Sequence, residues 1–324
     1  MPIGLGSNHH RIVDERITEM RVRKVTRRDV LRALLLSAVA PGAWAANPAR
    51  TAHPAVRVAT PDRIGTETLL SLGVSPLAVG SPSIYAAIGG TPPLSQDAVD
   101  IGYPFEPNLE ILRELQPDLV VIEAMSASLK GVLEQVAPVF VMEIYGDGGR
   151  AEFVERASAE MFRLAQRIGR VDEARHFRQW TDERLQTIRK QMHGYAKRPV
   201  LIAQLDPSGR SILLYARNSV TYDVMQRIGF ESAWTGHTNT YGCAQIGLDQ
   251  LATVPEADLL YIDYGEQTVA ALAQLAHSPV WPRLPMVRER RVYPIALFDP
   301  MGALPTAVQF AEHFQASMLA RGRA

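Results

Sequence analysis

The longest regular alternation of hydrophobic and polar positions lies near the middle of the chain, at residues 172–195. Apolar or semi-apolar side chains recur there every three or four positions, and charged side chains fill many of the positions between them. This spacing predicts an amphipathic helix. Asp172 in the first turn and Gly194 near the end are typical of helix boundaries. At about 1.5 Å per residue the helix would be roughly 35 Å long, which suits either a long core helix or a connection between two lobes.

Short apolar runs alternate with amphipathic runs on both sides of this helix, a pattern typical of α/β sheets. Before the helix, strands are predicted at residues 56–59, 76–79, 119–122 and 139–142, and helices at residues 62–72, 108–115, 128–136 and 152–167. After it, strands are predicted at residues 200–204, 212–215, 259–263 and 292–295, and helices at residues 220–228, 248–251, 269–275 and 306–319. The pattern therefore favours two α/β lobes, at residues 46–171 and 196–324, joined by one long helix at residues 172–195.

The start of the chain has the order of an export signal. It contains a basic twin-arginine run, an apolar stretch and a small-residue cleavage sequence, at residues 26–32, 33–40 and 43–45. This order predicts a signal peptide at residues 1–45 that uses the Tat route, with Sec as the second choice; a buried N-terminal helix is the alternative. Met20 is an alternative start that would give a signal with a normal short basic region. We therefore expect the mature chain to begin near Ala46 and to work in the periplasm.

Composition and missing motifs exclude several classes of protein. The 34 Lys and Arg residues balance the 34 Asp and Glu residues, so nucleic acid is not an expected partner. Cys243 is the only cysteine, which excludes an internal disulfide and every multi-cysteine metal pattern; we expect a buried, inert thiol. No G-x-G-x-x-G opens a helix after a strand, and no Walker A, G-x-S-x-G or H-E-x-x-H motif occurs. An exported protein with a cleft between two lobes suggests capture of a small molecule.

Several motifs carry a resemblance to a known family. D-I-G at residues 100–102, E-P-N-L-E-I-L at residues 106–112 and L-Q-P-D-L-V at residues 115–120 resemble the signature of the helical-backbone periplasmic binding proteins. These proteins serve ABC importers of iron–siderophore complexes, cobalamin and haem. S-A-W-T-G-H-T-N-T-Y-G at residues 232–242 resembles the members that bind ferric hydroxamates. The resemblance spans essentially the whole mature chain.

This resemblance implies the fold of a class III periplasmic binding protein, with two α/β lobes, one rigid connecting helix and a shallow cleft. It also implies the activity. The protein would capture a ferric siderophore, of hydroxamate or mixed carboxylate type, and deliver it to an ABC permease in the inner membrane without covalent chemistry. Because the siderophore's own oxygens hold the iron, no cofactor and no protein metal ligand are expected. We expect the protein to be a monomer.

Aromatic side chains are the first candidates for ligand contact, because they give rigid walls that are both apolar and polar. The resemblance places pocket aromatics in the loop that contains Trp234 and Tyr241. Tyr103 and Phe105 lie in the loop before the Pro-Asn-Leu-Glu helix, and Tyr85 lies in the Gly- and Pro-rich loop after the second strand. For each of these five residues, packing in the core is the alternative.

Two positions depart from the hydroxamate-binding pattern. Those members carry an arginine where this chain has Pro104, and a tyrosine near the position of Ser126. This chain instead has Arg63 and Arg217 in loops where the pattern does not usually have arginine. Because arginine can clamp carboxylate or hydroxamate oxygens, we hypothesise that the two arginines relocate the clamp and favour a carboxylate-bearing siderophore. Two solvated surface arginines are the alternative.

Glu110 and Asp249 are candidates for contact with the permease. In proteins of the resembled family, one acidic residue on each lobe pairs with basic residues of the permease. Glu110 matches that motif, and Asp249 matches it with aspartate in place of the more usual glutamate. Ordinary exposed helix charges are the alternative.

Two other functions stay open. The first keeps the fold but changes the ligand to cobalamin or haem; Trp234, Tyr241 and the resemblance to hydroxamate binders argue against it. The second is a secreted α/β enzyme with its active site between the lobes, against which the missing catalytic motifs count.

Overall fold

The computed structural model describes residues 56–145, 152–195 and 198–321. The predicted signal peptide at residues 1–45 and the alternative start at Met20 lie outside these ranges. Within the ranges, no helix is both long and apolar enough to span a bilayer.

The first part of the described chain forms a five-stranded parallel sheet with helices around it. Its elements are β1 Val58–Thr60, α1 Arg63–Ser71, β2 Ala78–Val79, α2 Pro82–Ala87, β3 Val99–Asp100, β4 Gly102–Tyr103, β5 Glu106–Pro107, α3 Leu109–Leu115, β6 Leu119–Glu123, α4 Lys130–Leu133, β7 Val139–Met142 and α5 Phe153–Ile168. The strand order is β3-β2-β1-β6-β7 and every pairing is parallel. β4 and β5 form a separate antiparallel hairpin.

A long helix, α6 Val171–Gln191, connects this sheet to a second one. Ala174, Phe177, Thr181, Leu185 and Ile188 are buried along one face, at the spacing that the sequence pattern predicts. The helix ends four residues earlier than predicted, because residues 192–194 form a turn in which the His193 N–H bonds to the Lys190 carbonyl at 3.3 Å.

The second part of the chain forms a mixed five-stranded sheet. Its elements are β8 Val200–Leu205, β9 Ser211–Tyr215, α7 Val220–Ile228, β10 Cys243–Gly247, β11 Asp258–Ile262, α8 Glu266–Ala276, α9 Pro285–Arg288, β12 Val292–Ile295 and α10 Leu304–Arg321. The order is β10-β9-β8-β11-β12, with β9 antiparallel to both of its neighbours. Only residues 206–210 join β8 to β9, and a connection this short permits a hairpin but not a parallel crossover.

Hydrophobic packing ties the two sheets together. One large cluster contains side chains from both sheets and from the helices between them, among them Val58, Met142, Leu185, Leu260 and Phe310. Each sheet also has a smaller cluster of its own. Because the large cluster is shared, the lobes cannot separate without exposing apolar surface.

Several elements differ from the sequence prediction, and β3, β4, β5 and α9, of two to four residues each, were not predicted. β10 was not predicted, because its five residues follow a loop rich in glycine and threonine. α2 was not predicted either, since its six residues lie between Gly- and Pro-rich segments. The helix predicted at residues 128–136 is a 3₁₀ turn, Ala124–Leu129, followed by the single turn of α4.

Candidate functional site

The carboxyl edge of the first sheet brings together polar side chains from three strands. β1, β6 and β7 lie side by side and parallel, so the residues at their carboxyl ends meet at one edge. Asp62 and Arg63 follow β1, Glu123 ends β6, and Tyr145 follows β7. Ligands of open α/β sheets bind at this kind of edge. The second lobe reaches it through Tyr241, whose ring centroid lies 5.6 Å from that of Tyr145.

Two buried carboxyl groups, Asp62 and Glu123, lie at this edge. The Asp62 carboxylate accepts hydrogen bonds from the Glu123 backbone N–H at 2.7 Å and from the Ser126 hydroxyl at 2.8 Å. Glu123 Oε2 accepts from the Met125 N–H at 2.7 Å, whereas Glu123 Oε1 is buried and has no hydrogen-bond partner among the described residues. Burial raises the pKa of Asp62. Burial, together with the neighbouring charge of Asp62, raises the pKa of Glu123 to about 7.

A carboxylate from the far end of the chain holds Arg63. The Arg63 Nε donates to Asp299 Oδ2 at 2.6 Å, and the arginine side chain is 35% exposed. Within the part of the chain that the structure describes, the two terminal guanidinium nitrogens have no hydrogen-bond partner. Burial acts to lower the pKa of Arg63, but the charge and hydrogen bond of Asp299, together with the charges of Glu67 and Asp62, outweigh burial and raise the pKa. Arg63 is therefore a fixed cation with unused donors.

Glu67 anchors the same helix as Arg63. It is 1% exposed, and its carboxylate accepts from the Ala303 N–H at 2.7 Å and from the Thr306 hydroxyl at 3.1 Å. Burial, together with the charge of Asp299, raises the pKa of Glu67 to about 8. These bonds join α1 to the first turn of α10 and so fix the backbone that carries Arg63.

Tyrosines from both lobes surround these charged groups. The Tyr145 hydroxyl donates to the Gly302 carbonyl at 2.9 Å. The pKa of Tyr241 is raised by burial and by the charge of Glu123, so its phenol lies near that carboxylate. Burial and the charge of Asp299 raise the pKa of Tyr264, which follows β11, to about 12. The site therefore combines carboxylates, one arginine and phenols from both lobes.

Three exposed apolar side chains lie at the same edge of the first sheet. Tyr103 and Phe105 belong to the β4–β5 hairpin that follows β3, and their ring centroids are 5.7 Å apart. They are 56% and 40% exposed, and Met125, two residues after β6, is 40% exposed. Large apolar side chains left in solvent beside a polar site are typical of a binding surface.

The other residues singled out in the sequence differ in how far they are buried and in what they contact. Tyr85 is 2% exposed, and its hydroxyl donates to the Pro92 carbonyl at 2.6 Å, so its ring would have to move to touch a ligand. Trp234 is half-buried against the second lobe's own cluster. Arg217 is exposed, and no partner of its guanidinium occurs among the described residues. Ser126 is buried and bonded to Asp62.

Glu110 and Asp249 are exposed on different lobes. Glu110 lies in the first turn of α3, where the Asn108 side chain accepts from the Glu110 N–H at 3.0 Å and caps the helix. Asp249 lies in a 3₁₀ turn, Leu248–Thr253. Among the described residues, neither carboxylate takes part in an ion pair.

Sequence reasoning did not identify Asp62, Glu67, Glu123, Tyr145 or Asp299 as site residues. For two of them a signal existed. Glu123 ends the apolar run L-V-V-I-E, and Asp62 follows β1 after one proline. Polar residues directly after buried parallel strands mark the edge where ligands bind. Asp299 has no such signal, because its role depends on a contact with Arg63, 236 positions away.

Within the described ranges, the Cys243 thiol is buried and the metal-ligating residue types form no cluster. The Cys243 thiol is 8% exposed, and burial raises its pKa to about 11, as expected for an inert thiol. In the described ranges, no group of three or more His, Cys, Asp or Glu side chains could hold a metal ion.

Comparisons with known proteins agree with this architecture. The family model for periplasmic binding proteins matches residues 58–296. The iron(3+)-hydroxamate-binding protein FhuD of Escherichia coli is 29% identical over 292 residues, which cover 88% of this chain and 94% of the relative. The Fe(3+)-citrate-binding protein YfmC of Bacillus subtilis is 21% identical over 226 residues, which cover 69% of this chain and 67% of the relative.

A solved structure has the same fold. The siderophore-binding protein FhuD of Vibrio cholerae, solved with Fe³⁺-Desferal, gives a TM-score of 0.75 at 24% identity, covering 82% of this chain and 98% of that one. The predicted fold class, two α/β lobes joined by one long helix, is confirmed. The chain belongs to the periplasmic binding protein family.

Proposed function

We propose that this protein captures a ferric siderophore of hydroxamate type between its lobes and delivers it to an ABC permease. The arrangement around Arg63 carries the proposal. Asp299 engages Nε, and the terminal nitrogens have no partner in the described part of the chain. A guanidinium oriented in this way can donate two parallel hydrogen bonds to the chelating oxygens of a ferric hydroxamate.

Apolar surface around the arginine suits the organic shell of such a ligand. Tyr103, Phe105 and Met125 are exposed at the sheet edge, and Tyr241 approaches from the second lobe. Aromatic rings and the flexible thioether pack against alkyl and amide groups. The iron stays coordinated by siderophore oxygens, so the protein supplies no metal ligand and needs no cofactor. The hydroxamate- and Desferal-binding relatives support this choice.

The charges at the site favour hydroxamate over carboxylate siderophores. Asp299 balances the charge of Arg63, and Asp62 and Glu123 lie at the same edge. A ligand with free carboxylates would meet this negative charge. The hypothesis that the two arginines select a carboxylate-bearing siderophore therefore rests on Arg217, which is exposed and forms no ion pair with a described residue.

Delivery would use the two lobes together. Glu110 and Asp249, exposed on separate lobes, are the proposed contacts with the permease. The protein would act as a monomer in the periplasm, after export by the Tat or Sec route, and would return its ligand chemically unchanged.

The experiment is a titration of the mature protein followed by intrinsic tryptophan fluorescence. The ligands are a ferric trihydroxamate, a ferric carboxylate siderophore, a ferric catecholate, cobalamin and haemin. We expect saturable quenching at micromolar concentration or below by the trihydroxamate. Binding of cobalamin or haemin alone would replace the proposed ligand, and turnover of any ligand would favour the enzyme alternative.

A further inference from the structure

Glu123 contains a buried acceptor that the described protein does not use. The residue is 4% exposed, at the carboxyl end of β6. One carboxylate oxygen accepts from the Met125 N–H, and the other has no hydrogen-bond partner among the described residues. Buried polar atoms without a partner are uncommon because they lose hydrogen bonds to water without replacement. An unused acceptor at a binding edge therefore indicates a donor that arrives from outside.

Neighbouring side chains do not supply this donor, and the Ala124 N–H, which acts on the carboxyl group of Glu123, makes no hydrogen bond with Oε1. Asp62 offers only acceptors, and both of its oxygens are engaged. The Ser126 hydroxyl already donates to Asp62, and the Tyr145 hydroxyl already donates to the Gly302 carbonyl. Tyr241 lies close enough for the Glu123 charge to act on its phenol, yet the two are not hydrogen-bonded. Because Tyr241 belongs to the second lobe, the free acceptor lies where the lobes meet.

The negative charge of the carboxyl groups around the free oxygen favours a positively charged hydrogen-bond donor on the ligand. A neutral N–H or O–H would satisfy the oxygen of Glu123 but would not offset the repulsion between the carboxyl groups of Glu123 and Asp62. A protonated amine supplies both a donor and a positive charge. The partly exposed ring of Tyr241, which packs against the buried ring of Tyr145, adds an aromatic group that can attract a cation.

We propose that Glu123 is a specificity-determining residue that binds a protonated amine of the siderophore. The inference rests on the proposed function, because it names the group that the ligand presents to Asp62 and Glu123 while Arg63 holds the chelate oxygens. The protein would thus discriminate among ferric hydroxamates by their charge at a distance from the iron.

The test compares two ligands that differ only in this group. Ferric Desferal is a linear trihydroxamate that ends in a primary amine, and acetylation of the amine removes its charge. We expect the wild-type mature protein to bind the amine form at least roughly tenfold more tightly than the acetylated form at about pH 8, where Glu123, whose pKa is raised to about 7, is mostly ionised and the amine is protonated. Glu123→Gln should bind both forms with similar affinity, and Glu114→Gln, at an exposed position of the same lobe, should keep the wild-type preference.

Each outcome has a distinct meaning. Equal affinity of the wild type for both complexes would overturn the inference and leave the proposed function in place. Equal weakening of both complexes in Glu123→Gln would leave the preference for the amine in place and would overturn the assignment of that preference to Glu123. Failure of the wild type to bind either complex would contradict the proposed hydroxamate function itself. The comparison of the two ligands on the wild type needs no variant, so a folding defect of Glu123→Gln would not obscure it.

Discussion

Two charged residues at the edge of the first sheet, Arg63 and Glu123, have polar atoms that form no hydrogen bond with any described residue. These atoms are the terminal guanidinium nitrogens of Arg63 and Oε1 of Glu123. Asp62 and Asp299 hold these two residues in place through hydrogen bonds. Asp299 orients the guanidinium, and Asp62 binds the backbone N–H of Glu123. Asp299 therefore fixes the orientation of Arg63, and Asp62 fixes the backbone that carries Glu123.

Replacement of Arg63 should weaken ligand binding. We expect Arg63→Ala to lower the affinity for the bound ferric siderophore by about tenfold or more, because a charge-assisted pair of hydrogen bonds is lost. Arg63→Lys should recover only part of the affinity, since lysine keeps the charge near Asp299 but lacks the planar fork. Fluorescence titration measures both. Arg113→Ala, at an exposed position of the same lobe, is the control, and unchanged affinity in Arg63→Ala would exclude the proposed clamp.

Glu67 should make stability depend on pH. Its pKa is raised from 4.5 to about 8, so the folded protein binds this proton more tightly than the unfolded chain does. The stability that this group contributes is therefore present below pH 4.5 and is lost as pH rises toward 8. Glutamine does not titrate, so Glu67→Gln should not share this loss. As pH rises from about 5 to about 8, the free energy of unfolding of Glu67→Gln should therefore increase by roughly 1–3 kcal/mol relative to that of the wild type.

Urea unfolding at several pH values measures this difference. Glu114→Gln, an exposed carboxyl replacement on the first lobe, is the control and should show no such trend. A stability difference between Glu67→Gln and the wild type that does not change with pH would contradict the raised pKa.

At the scale of elements, α6 and α10 join the lobes through the shared hydrophobic cluster. α6 buries one face along its whole length, and Arg184 on this helix pairs with Glu312 of α10 at 2.7 Å. The salt bridge is partly exposed and contributes little to stability. The buried apolar face of α6 therefore dominates the stability of the connection.

Truncation of a buried side chain on this face of α6 should lower the stability of the protein. Leu185 is 3% exposed within the shared cluster, and we expect Leu185→Ala to lower the free energy of unfolding by about 2–5 kcal/mol. Gln186→Ala, at the next and exposed position, should change it by less than about 0.5 kcal/mol. Urea denaturation gives both values, and similar effects of the two substitutions would show that this face does not hold the lobes together.

At the scale of the whole molecule, the shared cluster keeps the two lobes, and thus Glu110 and Asp249, in a fixed relation. A permease that contacts one carboxylate on each lobe would depend on that relation. The proposed ligand site lies instead at the sheet edge that carries Arg63 and Glu123. Binding and delivery should therefore be separable by mutation.

Charge reversal on the two lobes provides the test. The double variant Glu110→Arg, Asp249→Arg should abolish transport by the permease and leave fluorescence-measured affinity for the siderophore unchanged. Glu114→Arg, which reverses an exposed charge next to the proposed contact on the first lobe, should transport normally. A loss of siderophore affinity in the double variant would contradict a docking role for these residues.

The periodicity of the sequence predicted most of the elements, because burial of one face leaves a local signature. The helix Val220–Ile228 and the strand Val292–Ile295 have the predicted bounds. Pro82–Ala87 and Cys243–Gly247 were not predicted, because the first lies between Gly- and Pro-rich segments and the second follows a loop rich in glycine and threonine. Tyr103 and Phe105 remain candidates on an exposed hairpin, while the burial of Tyr85 could not be seen in its loop-like sequence.

The sequence by itself determined the fold class, the long helix between two alternating regions, and the resemblance to a binding-protein family. These properties follow from patterns repeated over neighbouring residues and from contiguous motifs. Only the tertiary structure decided that Asp299 holds Arg63 across 236 positions, that Ser126 binds Asp62, and that one oxygen of Glu123 has no hydrogen-bond partner in the described part of the protein. Such facts depend on which distant segments meet when the chain folds, and no local pattern specifies which polar atoms then remain without a partner.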